Sequence, residues 1–185
     1  SSRRRHTRLR RDWSLDVCRL LIYSLDGGIG RDFLAGGTGD DFLDGGRNND
    51  TIRGHSGNDT IVGGHGDDSI SGDGGDDELV GGDGDDTIFG GNGNDGLAGN
   101  DGNDFLQGDQ GSDTISGGDG DDNLIGGGGR DTLLGGDGAD TLNGNGGRDV
   151  GAFGEGADFL PAINNEVLDE EFVLSAKMMQ SLDGV

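Results

Sequence analysis

The sequence has little of the material from which globular cores and catalytic sites are usually built. Only 29% of its 185 residues are hydrophobic and 5% are aromatic, and it contains one Cys, one Pro and three His. So few apolar residues argue against a compact domain around a single core. The single cysteine, Cys18, excludes an intramolecular disulfide framework. No apolar run approaches the roughly eighteen residues that a membrane-spanning helix needs.

Positive charge and catalytic motifs are also scarce. The chain has 13 Lys and Arg against 37 Asp and Glu, a formal net charge of −24. Nucleic acid and anionic membrane surfaces would repel such a chain, so we do not expect them as partners. The histidines, His6, His55 and His65, are accompanied by no HExxH, GxSxG or Cys/His pairing. We therefore predict that this chain is not an enzyme.

Glycine is abundant, and it belongs to a nine-residue unit that repeats fifteen times without a gap over residues 27–161. One unit, residues 81–89, reads Gly-Gly-Asp-Gly-Asp-Asp-Thr-Ile-Phe, and its positions are called places one to nine below. Place eight is Leu or Ile in every copy but one, Gly151. Place six is aspartate in every copy: Asp32, Asp41, Asp50, Asp59, Asp68, Asp77, Asp86, Asp95, Asp104, Asp113, Asp122, Asp131, Asp140, Asp149 and Asp158.

The exceptions to glycine indicate the backbone conformation of each place. Asn48 replaces glycine at place four, and the replacements at place two are His55, Asp73, Asn100, Asp109 and Asn145. Asn, Asp and His tolerate positive φ better than other non-glycine residues, so places two and four are predicted to be left-handed. Asn48 is expected to distort its turn. Place one is Gly in fourteen copies and takes none of these substitutes, which predicts a dihedral that only glycine adopts or a very close backbone approach.

The spacing predicts an all-β solenoid. Places seven to nine read as a short strand around an inward aliphatic, followed by a six-residue turn. Successive units alternate sides, so eighteen residues make one coil, and adjacent coils lie about 4.8 Å apart. Each coil then adds aliphatics to one inner seam, with Leu34 beside Ile52.

Stacking the coils aligns the place-six carboxylates in two columns. Neighbours roughly 5 Å apart repel by about 3 kcal/mol at an effective dielectric of 20, so a cation is predicted between coils. Carbonyl and carboxylate oxygens suit calcium far better than zinc or copper, with magnesium as the weaker rival. The acids at place five are expected to be only a solvated face: Asp40, Asp67, Asp76, Asp85 and Asp121.

Residues 27–160 resemble the RTX, or haemolysin-type calcium-binding, nonapeptide repeats of secreted bacterial proteins. The resemblance implies a parallel β-roll of GGxGxDxUx units that holds several calcium ions (Ca2+) between its coils. It implies that place-two and place-four carbonyls and the place-six Asp of one turn act with place-one and place-three carbonyls and the Asp of the turn two units later. One such site comprises Gly82, Gly84, Asp86, Gly99, Asp101 and Asp104. The glycines to which we assign carbonyl ligands at places two and four are Gly28, Gly30, Gly37, Gly39, Gly64, Gly66, Gly82, Gly84, Gly91, Gly93, Gly118, Gly120, Gly127, Gly129, Gly136 and Gly138.

The resemblance also implies an extracellular, secreted module that folds in external calcium and stabilises an attached effector domain, with type I secretion machinery as a partner. Surface adhesion or partner binding through outward apolar columns is the alternative. One column holds Val62, Val80, Ala98 and Leu134, and Phe89 lies near Phe105 on the other side. Irregular residues at place three argue against ice binding. A degenerate or truncated reading frame whose repeat still folds is a third possibility.

The flanks differ from the repeat block. Residues 1–26 carry seven of the thirteen basic residues and are interpreted as an Arg-rich leader, linker or cap rather than an export signal, because the apolar patch Leu20–Tyr23 is short. Residues 27–161 form the roll. Residues 162–185 are expected to contain an amphipathic helix over 166–182, which caps the roll or belongs to a secretion signal.

Overall fold

A computed structural model describes residues 24–152 together with Gly154 and Gly156. Fifteen strands within this range alternate between two sheets. The first sheet contains β1 (Leu25–Ile29), β3 (Phe42–Arg47), β5 (Thr60–His65), β7 (Glu78–Asp83), β9 (Gly96–Asp101), β11 (Thr114–Asp119), β13 (Thr132–Asp137) and β15 (Val150–Ala152). The second contains β2 (Phe33–Thr38), β4 (Thr51–Ser56), β6 (Ser69–Gly74), β8 (Thr87–Asn92), β10 (Phe105–Gly111), β12 (Asn123–Gly129) and β14 (Thr141–Gly147).

Both sheets are parallel throughout, and each strand pairs with the strand eighteen residues away. The register places Val62 opposite Val80 in the first sheet and Leu34 opposite Ile52 in the second. Two repeat units therefore make one coil, and the predicted all-β parallel β-roll is confirmed. No helix in the described part of the chain is long and apolar enough to span a membrane.

The strands are longer than the sequence pattern predicted. Most cover six residues, places seven to nine followed by places one to three of the next unit, as β8 does. Pairing is interrupted only at place one: Phe89 pairs with Gln107 and Gly91 with Asp109, whereas Gly90 has no such partner. The prediction of a three-residue strand was wrong, because the chain resumes its pairing with the neighbouring strand after it bends at the glycines. Only places four to six form the turn.

The core is a single seam of place-eight aliphatics between the two sheets. Their exposure is 7% or less: Leu25, Leu34, Leu43, Ile52, Ile61, Ile70, Leu79, Ile88, Leu97, Leu106, Ile115, Leu124, Leu133 and Leu142. Gly151 lies opposite Leu133 in β15, so the seam has no side chain at that point. One aliphatic per nine residues is a thin core for a chain of this length, so contacts made by the turns must also contribute to stability.

The left-handed places occur where the substitutions predicted them. All non-glycine residues with positive φ in the described range are the predicted ones, with φ between 64° and 81°: Asn48, His55, Asp73, Asn100, Asp109 and Asn145. Asn48, at φ 74°, keeps the left-handed conformation of its place. The distortion expected at this turn is therefore not seen in the φ of Asn48.

The described range starts slightly before the first full unit. Leu25 and Asp26 take places eight and nine of a partial unit, and they pair with Leu43 and Asp44. Residues 1–23 of the Arg-rich segment and the predicted helix at 166–182 lie outside the described residues.

Candidate metal centre

The place-six aspartates point into the roll rather than into water. Their exposure is 5% or less at Asp41, Asp50, Asp59, Asp68, Asp77, Asp86, Asp95, Asp104, Asp113, Asp122, Asp131 and Asp140. Asp32 and Asp149, at the two ends of the described range, are half-buried. Asp158 lies outside the described residues. Burying an ionised carboxylate is costly unless hydrogen bonds or a cation compensate it, so each oxygen of these groups needs a partner.

From Asp50 onwards, one oxygen of each place-six carboxylate accepts a hydrogen bond from the preceding coil. The N–H of Asp68 donates to Oδ1 of Asp86, and the N–H of Asp86 donates to Oδ1 of Asp104, both at 2.7 Å. The same bond recurs from Asp32 to Asp131 as donors, at 2.6 to 3.0 Å. This ladder fixes the place-six side chains in two columns along the roll.

The other oxygen accepts no hydrogen bond. The Oδ2 atoms concerned are fully buried and belong to Asp41, Asp50, Asp59, Asp68, Asp77, Asp86, Asp95, Asp104, Asp113, Asp122 and Asp131. A regular column of buried, unsatisfied carboxylate oxygens is not expected in a folded protein unless something else binds them. Their regular spacing excludes an isolated packing fault.

Place one is glycine because these oxygens lie against it. A Cβ on Gly63 would come within 3 Å of Asp68 Oδ2 in its own turn and 2.7 Å from the carbonyl oxygen of Gly81 in the next. The φ of Gly63 is outside the left-handed region. Of the two explanations predicted for place one, close approach is therefore the correct one. Asp68 Oδ2 and the Gly81 carbonyl face the same small space between coils.

The carbonyls of consecutive places alternate in direction. In turn 63–68, the carbonyls of Gly64 and Gly66 point towards the next coil, where they lie within 3 Å of the Cβ positions of Gly82 and Gly84. In turn 81–86, the carbonyls at places one and three point back. The carbonyl of Gly81 points back to Gly63, and the backbone carbonyl of Asp83 accepts a hydrogen bond from the N–H of Gly66 at 2.7 Å.

The site named from the resemblance has the same arrangement. The carbonyls of Gly99 and Asp101 point back towards turn 81–86, and the Asp101 carbonyl accepts a hydrogen bond from the N–H of Gly84 at 2.8 Å. The Gly84 carbonyl points forward to Gly102. The interface between turns 63–68 and 81–86 thus faces four carbonyls, two from either turn, together with the carboxylates of both, and three of the corresponding carbonyls are seen at the named site.

Burial raises the pKa of the place-six aspartates, to about 7 for Asp86 and Asp122. The N–H bond to each carboxylate opposes this shift, and the aspartates of neighbouring coils add to it. Burial likewise raises the pKa to about 6 at Asp41, Asp50, Asp77, Asp95 and Asp113. The columns therefore hold full negative charge at neutral pH only with difficulty, and a bound cation would relieve both causes.

Side chains alone do not form a chelating cluster. In residues 24–152, no group of three or more His, Cys, Asp or Glu side chains converges on one point. A cation between coils would have to take backbone carbonyls as well as two carboxylates. That donor set is all oxygen and irregular, which suits calcium rather than zinc or copper.

The geometry of place one gives a direct prediction. Gly63→Ala should force Asp68 Oδ2 or the Gly81 carbonyl out of position, and overpacking of this kind costs roughly 1 to 3 kcal/mol. Urea unfolding in calcium should show this loss. Gly96→Ala is the matched control, because its Cβ meets nothing nearer than 3.9 Å and its φ is ordinary. Equal stability of the two variants would contradict the role assigned to place one.

The place-five acids are exposed, as expected, but they are not merely solvated. Asp40, Asp67, Asp76, Asp85 and Asp121 each accept a backbone N–H from the following coil, at 2.7 to 3.2 Å. The predicted exposure is therefore confirmed, but the prediction that these acids form nothing more than a solvated face was wrong. Sequence reasoning missed these bonds because Asp and Asn are equally good acceptors, so the mixed residues at place five resembled a variable surface.

The outer faces carry the remaining polar and apolar features. His65 Nδ1 lies 2.6 Å from Asp83 Oδ2, and Arg53 and His55 both lie 3.1 Å from Asp73 Oδ2. These side chains are exposed or half-exposed on the strands; Arg53 forms an ion pair with Asp73, and the two histidines lie within hydrogen-bonding distance of carboxylates.

The outward apolar residues lie where the pattern placed them. Val62, Val80 and Ala98 are aligned across adjacent strands, but Ser116 separates them from Leu134. The rings of Phe89 and Phe105 on the other sheet have centroids 5.8 Å apart.

Comparison with known families agrees with this geometry. A model of the RTX calcium-binding nonapeptide repeat, four copies long, matches six overlapping segments: 26–61, 44–79, 62–97, 71–106, 98–133 and 125–160. The comparison with curated proteins found no match. The family match spans residues 26–160, most of the chain, and the repeats it describes are the coils described above. The chain therefore belongs to the family of RTX calcium-binding nonapeptide repeat proteins.

Proposed function

We propose that calcium ions bind between consecutive coils of this calcium-binding repeat module and that their binding drives its folding. The observation that supports this most strongly is the column of buried place-six Oδ2 atoms, most of which lie against a place-one glycine that also faces a carbonyl of the next turn. Calcium takes six to eight oxygen ligands in flexible geometry. An interface offers four carbonyls and two carboxylates, which fits the lower end of that range.

The ligand set that we propose follows the carbonyl directions. For the interface between turns 63–68 and 81–86, it comprises the carbonyls of Gly64, Gly66, Gly81 and Asp83 with the carboxylates of Asp68 and Asp86. The same places supply the ligands in the other interfaces, including the glycines named from the resemblance. Calcium is favoured over magnesium because magnesium demands near-octahedral geometry and retains its waters, which a narrow gap between coils cannot hold.

We expect the chain to remain extended where calcium is scarce. The net charge is −24, and without cations the aligned carboxylates repel one another along both edges of the roll. Extracellular calcium modules commonly bind in the range of about 10⁻⁴ to 10⁻³ M. We therefore propose that the chain is a secreted module that folds outside the cell and stabilises an attached effector domain, with a type I secretion system as its exporter.

A calcium titration of the full chain tests this function. Far-UV circular dichroism should show little regular structure in chelator and a β signal in millimolar calcium, with a steep midpoint because each coil supports its neighbours. Equilibrium dialysis should find several bound ions per chain. Magnesium at the same concentration is the control and should leave the spectrum largely unchanged. A spectrum independent of calcium would reject metal-driven folding, and a submicromolar midpoint would reject the extracellular role.

Adhesion through the outer faces is less well supported. The large exposed apolar residues in the described range are Ile29, Phe33, Phe42, Leu134 and Val150. They lie at the two ends of the roll, and the outward column between them consists of half-buried residues interrupted by Ser116. A docking face for a partner would need a continuous apolar patch.

A further inference from the structure

The side chains at place five hold a second ladder along both edges of the roll. Eight bonds of the same kind link each acceptor Oδ1 to the backbone N–H at place five of the following coil, at 2.7 to 3.2 Å. The acceptors are Asp40, Asn58, Asp76 and Asn94 on one edge, and Asp67, Asp85, Asn103 and Asp121 on the other. In this ladder the acceptor side chain lies in the earlier coil, whereas in the place-six ladder it lies in the later coil.

This direction determines where a neighbouring carbonyl points. In a trans peptide the C=O and N–H groups point in opposite directions, and the N–H of place five belongs to the same peptide as the carbonyl of place four. The N–H of Asn94 points back to Asp76 Oδ1, 2.7 Å away. The carbonyl of Gly93 must therefore point forward, and it lies against Gly111 in the next coil.

The next peptide is held in the opposite sense. The N–H of Asp95 points forward to Oδ1 of Asp113, at 2.9 Å. The two ladders together orient both peptides of place five, so the carbonyls of places four and five point to opposite coils. Place five is exposed at the edge of the roll, where water would otherwise compete for its N–H and leave the peptide free to rotate.

We propose that the place-five Asp and Asn residues are positioning residues for the calcium sites. Each one aims the place-four carbonyl of the following coil at the interface one coil further on. The proposal rests on the proposed calcium function and adds a set of residues to it. Asp76, in this view, acts on the site between turns 90–95 and 108–113, through the carbonyl of Gly93.

The residues found at place five favour an acceptor role over a role of charge. On one edge Asp and Asn alternate, as Asp40, Asn58, Asp76 and Asn94, and all four accept the same bond. The amide of Asn94 also lies 3.3 Å from Asp76 Oδ1, so it donates towards the carboxylate beside it. Alternation keeps like charges two coils apart while every rung keeps its acceptor oxygen.

Substitution of Asp76 separates the acceptor from the charge. Asp76→Ala removes both, Asp76→Asn removes only the charge, and Glu78→Ala is the control that removes an equally exposed charge outside the ladder and outside the proposed ligand places. The readout is ion release in stopped flow, with each calcium-saturated chain mixed with a fluorescent chelator. In Asp76→Ala, one class of ions should leave roughly three- to tenfold faster, the scale of one hydrogen bond. Asp76→Asn and Glu78→Ala should release calcium as the unmodified chain does.

A purely structural role would shift the folding midpoint without changing the release of one class of ions from the folded roll. Unchanged release in Asp76→Ala would overturn the proposal, and so would faster release in Asp76→Asn, because charge would then be the cause. Should Asp76→Ala fail to fold at any calcium concentration, Asn94→Ala is measured instead. It removes the last rung of that edge, to the N–H of Ser112, without changing charge. Failure of the unmodified chain to bind calcium would contradict the proposed function itself, independently of these variants.

Discussion

Replacing Asp86 by alanine is expected to disable two neighbouring calcium sites at once. Oδ1 of Asp86 accepts the N–H of Asp68 in the preceding coil, whereas its Oδ2 is buried beside Gly81, which also faces the carbonyl of Gly99 in the following coil. The two oxygens of this carboxylate thus face the interfaces on either side of its turn. Loss of supporting residues around a metal costs about ten- to a hundredfold in affinity, and loss of a ligand shared by two sites should cost no less.

The calcium midpoint of the Asp86→Ala variant should therefore rise at least about tenfold, and dialysis should find two fewer ions. Cooperativity should also break, because a solenoid transmits stability only between neighbouring repeats. The folding transition is then expected to show two steps, one for each half of the roll. Asp83→Ala is the matched control, since it removes an exposed charge from the same turn and leaves the Asp83 carbonyl in place.

Asp86→Asn distinguishes the two oxygens of this side chain. An amide oxygen at the Oδ1 position still accepts the N–H of Asp68, but an amide NH₂ directed at the Gly99 carbonyl repels a cation. This variant should lose the same ions as Asp86→Ala while keeping more of the backbone ladder. An ion count equal to that of the unmodified chain in both variants would show that place six does not bind the metal.

The turn geometry was predictable because the exceptions to glycine are informative. A position that accepts only Gly, Asn, Asp or His signals positive φ, and Asn48, His55 and Asp73 all adopt it. The inner seam was predictable for a similar reason, since one invariant aliphatic per unit has only one place to be buried. Place one gave an ambiguous signal, because a steric requirement and a dihedral requirement both select glycine. Only the positions of Asp68 Oδ2 and the Gly81 carbonyl around Gly63 separate them.

Two features were beyond the reach of the sequence pattern. Strands extend through places one to three because the chain recovers its pairing after a bend, and composition does not report where pairing resumes. The place-five ladder was hidden by chemical equivalence: Asp76, Asn58 and Asn94 look like an unconstrained surface, yet all present an acceptor oxygen.

In chelator, the chain is expected to gain β structure when the pH falls from about 7.5 to about 5.5. Burial raises the pKa of Asp86 and Asp122 to about 7 in the roll, whereas their ordinary value is 3.8. The folded state then binds more protons than the unfolded state between these values. Its stability is therefore fully present below about pH 3.8 and is lost as the pH rises through about 7. Protonation removes the repulsion within the columns and so substitutes for the cation.

With limiting calcium the sign reverses, and this contrast is the strongest test of the columns. Protons and calcium compete for the same carboxylates, so the calcium midpoint should rise as the pH falls from about 7.5 to about 6. A double variant, Asp86→Asn with Asp122→Asn, removes the two groups whose pKa is raised to about 7 and should fold more readily in chelator at neutral pH than the unmodified chain. Asp83→Asn with Asp119→Asn is the control at exposed places, and it should change neither curve by much. A calcium midpoint independent of pH over this range would mean that the buried aspartates are not where the ions bind, because no other groups in the described roll titrate there as a repeated set.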